Sequence, residues 1–462
     1  MSTLPSVNLN NLYAAFGSNS GGIDVASAVS QILYADRATE RQWQSQQSLI
    51  DQQTSALNQM NSLASSLIDS VDGLQDPTGA LMSTTVTSTQ PSLVTATANS
   101  GTPAGSHVIS VQSLATTAAW YSDAVSDVNT AFAAGSFDLT VGSGSSQKTV
   151  TIALGNGVNT PTDLATCVNG LNLGITASVI TDASGARVAL VSNASGSAAD
   201  FNLAPSSGSN APNLFTRAVT GANASLTVDG VPISRATNTV SGVISGVTLN
   251  LKGQSPGTEV VLTVGPDTTS ATQAVNDFVT QYNNLVNLVN SQFAYDSTNQ
   301  TSGPLSSDTT VRLLQSELLA APSYSAGGGT FPTLRSLGIT MNDDGTLTAD
   351  SSALTAALQN NPGAVQSFFQ GTSLNGFAAN LKSALTTYAD PSQGAFTVDL
   401  RSLSDERTDL QNHINDYEDY LANEQTRLTA EYNQANILLL QLPAQQKQID
   451  ALLGYNSSSS NG

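Results

Sequence analysis

At 462 residues the chain has room for about three or four domains. Only 10% of its residues are charged, against roughly 25% in ordinary soluble domains, so Ser, Thr, Asn and Gln must wet most of the surface. The 34 acidic and 14 basic residues leave a net charge of -20, which argues against nucleic acid or an anionic membrane as a partner. The single cysteine, Cys167, excludes an internal disulfide, and two histidines, His107 and His413, leave little for a metal site or an acid-base pair. No nucleophile, base and orienting group can be assembled, so no enzyme, cofactor or metal is expected.

The N-terminus, Met1 to Tyr13, lacks a basic region followed by an apolar one, and no run approaches the roughly 18 apolar residues of a membrane span. Export with a cleaved signal and membrane insertion are therefore not expected. Residues before about Gly22 are Asn/Ser/Gly-rich and read as disordered in the free subunit. Asp24 is a plausible N-cap, and Gly73 with Pro77 a stop, which predicts a helix over 24–72. Within it Val29, Ile32, Trp43, Ile50, Leu57, Met60, Leu67, Val71 and Leu74 hold the a and d positions of one heptad register. Polar Thr39, Gln46 and Gln53 at d positions predict a break or change of partner nearby.

From about Met82 apolar and polar residues alternate. Short strands are predicted at 85–88, 93–97, 106–111, 136–141 and 149–152, then a helix at 161–169 and a hairpin of 175–180 with 187–191 about the Asp182–Gly185 turn. The segment 118–134 is ambiguous. A further β unit runs from Ala224 to Val264, with a hairpin about Asp229-Gly230 and strands at 247–251 and 260–264. Helical periodicity returns in Ala274, Phe278, Tyr282, Leu285 and Leu288 or Val289, and helices follow near 308–320, 352–360, 362–370 and 374–388. Between them Leu337–Thr340 and Thr346–Thr348 flank the turn Asp344-Gly345.

The last segment repeats the heptad pattern in Leu400, Leu403, Leu410, Ile414, Tyr417, Leu421, Leu428, Leu438 and Leu442, with Glu424 and Glu431 also at seam positions and Pro443 expected to kink or end the helix. A stripe this narrow must be covered by another helix, from the opposite terminus or from a neighbouring subunit. For 50–74 and 400–421 both remain open; the outermost portions are expected to need a partner. Candidate contacts to partners are Val29, Ile32, Trp43, Ile50, Leu57, Leu403, Leu410, Ile414, Tyr417, Leu421, Leu428 and Leu438. Met341–Gly345 lacks the acidic spacing of a calcium loop and reads as a turn. Cys167 reads as a packed small hydrophobe, His413 as a solvated face and Gly327–Gly329 as a flexible loop.

The expected fold is an α+β multidomain chain: a helical base of coiled-coil-like N- and C-terminal helices with two inserted β-rich domains at the far end. The expected partition is 1–40 with 416–462 as a terminal leg, 41–81 with 266–415 as a helical bundle, 82–117 with 218–265 as one β-rich domain and 118–217 as an outer one.

Several segments carry a resemblance. Gly22–Val29 opens the first helix; His107–Ala115, Leu164–Asn169 and Gly174–Val179 follow; then come Thr237–Val240 with Ile244–Leu251, Phe278-Val279 with Tyr282-Asn283, and Ser336–Ile339 with Asp344–Leu347. In this order they resemble the hook-associated protein 2 family of flagellar filament-capping proteins, over nearly the whole chain. The resemblance implies a ring of roughly four to six copies at the distal tip of the filament, reached without a cleaved signal peptide. It also implies flagellin folded and inserted beneath the ring, with the hook-filament junction protein and an export chaperone as further partners. Alternatives are another axial protein, either a flagellin or a junction protein, and an extracellular adhesin binding glycans through loops at 142–148 and 192–213.

Overall fold

A computed structural model describes residues 24–142, 147–155, 157–207, 214–298 and 300–452. The disorder expected before Gly22, and residues 143–146 and 208–213 of the loops proposed for glycan binding, lie outside these residues. The described chain is α+β, with a β-rich middle and a long C-terminal helix, and it divides into two compact units.

The first unit spans residues 1–72, 276–349 and 373–462. It holds α1 (Val25–Asp36) and most of α2 (Ala38–Gln75), which together replace the single helix expected over 24–72. The break falls at Arg37, ahead of the polar d positions. The unit also contains most of α4 (Thr268–Phe293), then α5 (Thr309–Ala320), α8 (Phe377–Ala389) and α9 (Ala395–Leu452). The predicted face of α4 is its buried face: Phe278, Tyr282, Leu285 and Val289 are all sealed. Phe278 packs edge-on against Phe377 at 5.6 Å, and the Tyr282 hydroxyl donates to the carbonyl of Leu318 at 2.6 Å. Such buried hydroxyls need a partner, because an unpaired one costs about 1–3 kcal/mol. The expected hairpin at 337–348 is the ribbon β16 (Ile339–Met341) and β17 (Leu347–Ala349).

The second unit spans residues 73–275 and 350–372 and contains two separate apolar cores. In one, a five-stranded antiparallel sheet faces a three-stranded one. The larger sheet has the order β1 (Thr84–Ser88), β15 (Val260–Pro266), β3 (Gly105–Ser113), β11 (Ala224–Val228) and β12 (Val231–Arg235). The smaller has β13 (Thr239–Ile244), β14 (Val247–Leu251) and β2 (Val94–Ala98). Alternation does the sorting: in β14 Val247, Leu249 and Leu251 are buried while Thr248 and Asn250 are half-exposed.

The other core lies between a four-stranded sheet and a three-stranded one, with a helix packed alongside. The first has β10 (Phe215–Val219), β4 (Ala119–Ser122), β8 (Gly185–Ser192) and β7 (Ile175–Asp182); the second has β6 (Lys148–Leu154), β5 (Gly135–Val141) and β9 (Phe201–Pro205). The ambiguous segment 118–134 thus contributes strand β4, fixed by Trp120, whose indole N–H donates to the carbonyl of Phe201 at 3.0 Å. Cys167 packs half-buried against this core from α3 (Pro161–Gly170). Helices α6 (Ser351–Asn360) and α7 (Pro362–Gln370) complete the unit.

Gly185 closes the β7–β8 reversal at φ +119°, and a Cβ there would sit 2.0 Å from the carbonyl oxygen of Val125. That oxygen accepts the N–H of Ala186 at 2.7 Å, so the clash falls on backbone that cannot swing aside. Gly185→Ala is expected to lower the stability of this core by roughly 2–5 kcal/mol, read by denaturant unfolding followed through Trp120.

In the neighbouring core, the Asp229-Gly230 turn bends back onto β3. The Asp229 carboxylate meets His107 Nδ1 at 2.7 Å and accepts the N–H of Val108 at 2.8 Å, bonds that hold its pKa below the ordinary 3.8, His107 foremost. A carboxylate depressed in the folded state adds stability above its unfolded pKa and loses it as pH falls through the lower, folded value. Asp229→Asn should therefore lower the melting temperature at neutral pH, and the difference from the wild type should shrink as pH falls below about 4, flattening the acid limb of the profile.

Candidate assembly surface

No group of His, Cys, Asp and Glu suited to a metal forms among the described residues, and no described helix is long and apolar enough to cross a membrane. The candidate surface for assembly lies on the terminal helices of the first unit. Asp24 caps α1, its carboxylate accepting the N–H of Ser27 at 3.1 Å. That start phases the helix so that Val29 and Leu33 turn toward α9, where they form a cluster with Leu421 and Leu428, flanked by Val25, Ile32, Tyr417 and Tyr432. Cover for Val29 therefore comes from the same chain, not from the partner expected for the outermost seam. The C-terminal helix is long enough to run past α2 and reach α1.

The break at Arg37 is tied down on several sides. Tyr417 donates its hydroxyl to the carbonyl of Asp36 at 2.9 Å, and Trp43 stands edge-on to Tyr417 at 5.4 Å and lies 6.0 Å from His413. His413, expected on a solvated face, is exposed but in ring contact. Glu40 is buried, with only 5% of its side chain exposed; it pairs with Arg37 at 2.6 Å and accepts from Gln44 at 3.0 Å. Removing the half-exposed guanidinium would strand a buried carboxylate. Arg37→Ala is expected to cost about 1–3 kcal/mol, and Glu40→Gln less, in urea unfolding monitored at Trp43.

Further along, polar bonds knit α2 to α9: Gln47 to Gln411 at 2.8 Å and Arg407 to Asp51 at 2.7 Å. Ile50 and Leu57 on α2, and Leu410 and Ile414 on α9, are buried, whereas Ile32, Trp43, Leu403 and Tyr417 are half-buried. Glu424 and Glu431, both on the α9 seam, are held by Arg427 of the same helix, Glu431 at 2.8 Å.

Burial of the α9 seam stops at Leu428. Beyond it the helix does not end at Pro443, as the missing N–H suggested, but runs on to Leu452. The proline costs the carbonyl four residues earlier its helical partner, and the exposed last turns tolerate that. Leu438 is 64% exposed, and Ile437, Leu439, Leu440, Leu442 and Ile449 are more than two-fifths exposed. Of these Leu438 and Leu442 lie on the heptad pattern; the others put apolar residues on every side of the helix, a pattern a periodicity search does not reward. Single exposed leucines are ordinary on soluble surfaces, but six large apolar residues along a few turns make a candidate contact surface.

Comparison with known proteins adds a second line. Residues 21–118 match the family model described as the flagellar hook-associated protein 2 N-terminus, and residues 221–443 match that of its C-terminus. The B-type flagellar hook-associated protein 2 of Pseudomonas aeruginosa is 30% identical over 87% of this chain and 90% of its own length. The chain belongs to the flagellar hook-associated protein 2 family. A second member, from Escherichia coli K12, is 26% identical over 95% of this chain and 97% of its own. The crystal structure of the D1-D2-D3 domains of the flagellar cap protein FliD from Escherichia coli superposes with a TM-score of 0.59 at 26% identity, covering 76% of this chain and 99% of that one. These likenesses favour a hook-associated protein 2 over a flagellin, a junction protein or an adhesin.

Proposed function

We propose that this chain is a subunit of the flagellar filament cap, a structural assembly factor without catalytic chemistry. The observation that carries the reading is the pairing of likenesses that cover most of the chain, to a hook-associated protein 2 and to a cap protein, with an apolar helix end left uncovered beyond Leu428. In this reading the exposed turns of α9 contact neighbouring subunits or the filament, and several copies close a ring at the distal tip. Exported flagellin folds beneath that ring and is inserted there, so that subunits are not lost to the medium. The hook-filament junction protein is the first surface on which the ring sits, and an export chaperone shields the C-terminal helix before secretion. Residues 1–40 with 416–462 form the leg, 41–81 with 266–415 the helical domain, 82–117 with 218–265 one β-domain and 118–217 the outer one.

Several properties support this. Part of the α1–α9 contact rests on four buried side chains, a small cluster that suits helices which exchange partners as the ring moves. The charge-poor exterior suits recognition by shape and hydrogen bonds over salt-dependent steering. Negative-stain electron microscopy of the purified full chain tests the reading: small closed rings are expected, and polymerisation into fibres of the chain itself would overturn it in favour of a flagellin.

A further inference from the structure

The family segments share a detail that capping does not explain. Each of three asparagines within them places its carboxamide against one backbone residue, accepting its N–H and donating to its C=O. Asn169 holds Ala177 in this way at 2.8 and 2.9 Å, Asn238 holds Ala115 at 2.7 and 3.0 Å, and Asn283 holds Leu347 at 2.6 and 2.8 Å. A carboxamide bonded in this way presents the same donor and acceptor pair as one residue of a neighbouring strand.

The pattern matters most at β7. This strand lies at the edge of its sheet, paired only with β8. An open edge is a template for a strand from another molecule, and folded proteins close such edges with proline, bulges or charge. Five other edge strands have such devices, Pro232 in β12, bulges in β10 and β13, Lys148 opening β6 and Pro205 closing β9, while β1 and β2 have none. Strand β7 reads Ile-Thr-Ala-Ser-Val-Ile-Thr-Asp, with no proline, no bulge, and a charge only at its last residue. What it has is Asn169. Because Ala177 gives both backbone groups to that side chain, antiparallel alternation points the N–H groups of Val179 and Thr181 outward as well.

Placement of Asn169 follows from local sequence. A capping box between Thr160 and Asp163 with Pro161 at the first turn fixes the start of α3. Leu164, Ala165 and Val168 are buried in the same core as Ile175 and Ala177. Asn172 and Gly174, at φ +51° and +75°, then turn the chain back so that β7 runs beside the helix that carries Asn169.

We infer that Asn169 is a surrogate strand that closes the β7 edge against strand addition by a second copy of this chain. The subunit is thereby kept from pairing through its outer sheet, leaving assembly to the helices.

The test uses the purified full chain with Asn169→Ala and with the isosteric Asn169→Asp, which retains an acceptor for the Ala177 N–H but not the donor. Hydrogen exchange at Ala177 is expected to accelerate at least about tenfold in Asn169→Ala. In sedimentation velocity, species heavier than the wild-type assembly should grow with concentration in both variants, more in the alanine one. Adding Thr181→Pro removes an outward N–H without touching the β8 ladder, and should return the distribution to that of the wild type. Unchanged sedimentation of both variants, or heavy species that Thr181→Pro does not suppress, would overturn the inference.

Discussion

Removal of residues 430–462 is expected to leave both β-cores folded and to abolish filament growth. The last buried seam residue is Leu428, so within the chain the cut takes away the flanking contact of Tyr432 but no buried residue, and should only slightly move thermal unfolding followed by circular dichroism. What it removes is the exposed stretch from Ile437 to Leu452, the surface for which assembly is the best physical use. A strain lacking its own cap gene, complemented with the truncated chain, should show short or absent filaments and no swarming. Deleting residues 1–35 should give the same motility defect by a different route, because it strips Val29 and Leu33 from Leu421 and Leu428 and leaves a second apolar patch on α9. Normal filaments from either truncation would show that these helix ends are dispensable.

The second large effect belongs to Leu421. It is 1% exposed at the centre of the α1–α9 cluster, where only four buried side chains share the load. Truncating a buried leucine costs about 2–5 kcal/mol, the lost transfer energy plus the cavity left behind, and here that falls on a contact with little else to hold it. Leu421→Ala should release α1, raising hydrogen exchange across residues 25–36 at least about tenfold while the β-cores melt where they did. Leu438→Ala is the control: a residue already 64% exposed loses little on truncation, so its effect should appear in assembly and not in stability. Equal destabilisation by the two substitutions would mean that the outer helix is sealed in the free chain.

Much of this architecture is visible in the residues themselves, and the exceptions have physical causes. Strands such as β14 and β15 announce themselves because every second residue faces one core, a local pattern. Strand β4 does not: four residues long, it becomes a strand only because β8 and β10 flank it, a pairing about 70–100 residues distant that no local window contains. Strand β9 was hidden for the same reason, inside a stretch read as a loop. The break after α1 was foreseeable from polar d positions in kind but not in place, since Arg37 is fixed by its bond to Glu40 and by Tyr417 gripping Asp36. The reach of α9 beyond Pro443 was masked by the general cost of a helical proline. Among the seam residues, heptad spacing located the stripe but could not say where the chain covers itself. That depends on the length of α9 relative to α1 and α2, and it shifts the candidate contact surface from Val29 and Leu421 outward to Leu438 and its neighbours.

Electron microscopy of filaments from cells expressing an epitope-tagged chain, with gold-labelled antibody, tests most directly whether this molecule belongs to the tip. Label confined to the single distal end of each filament is the expected result. Label spread along the filament, or fixed at its junction with the hook, would contradict it.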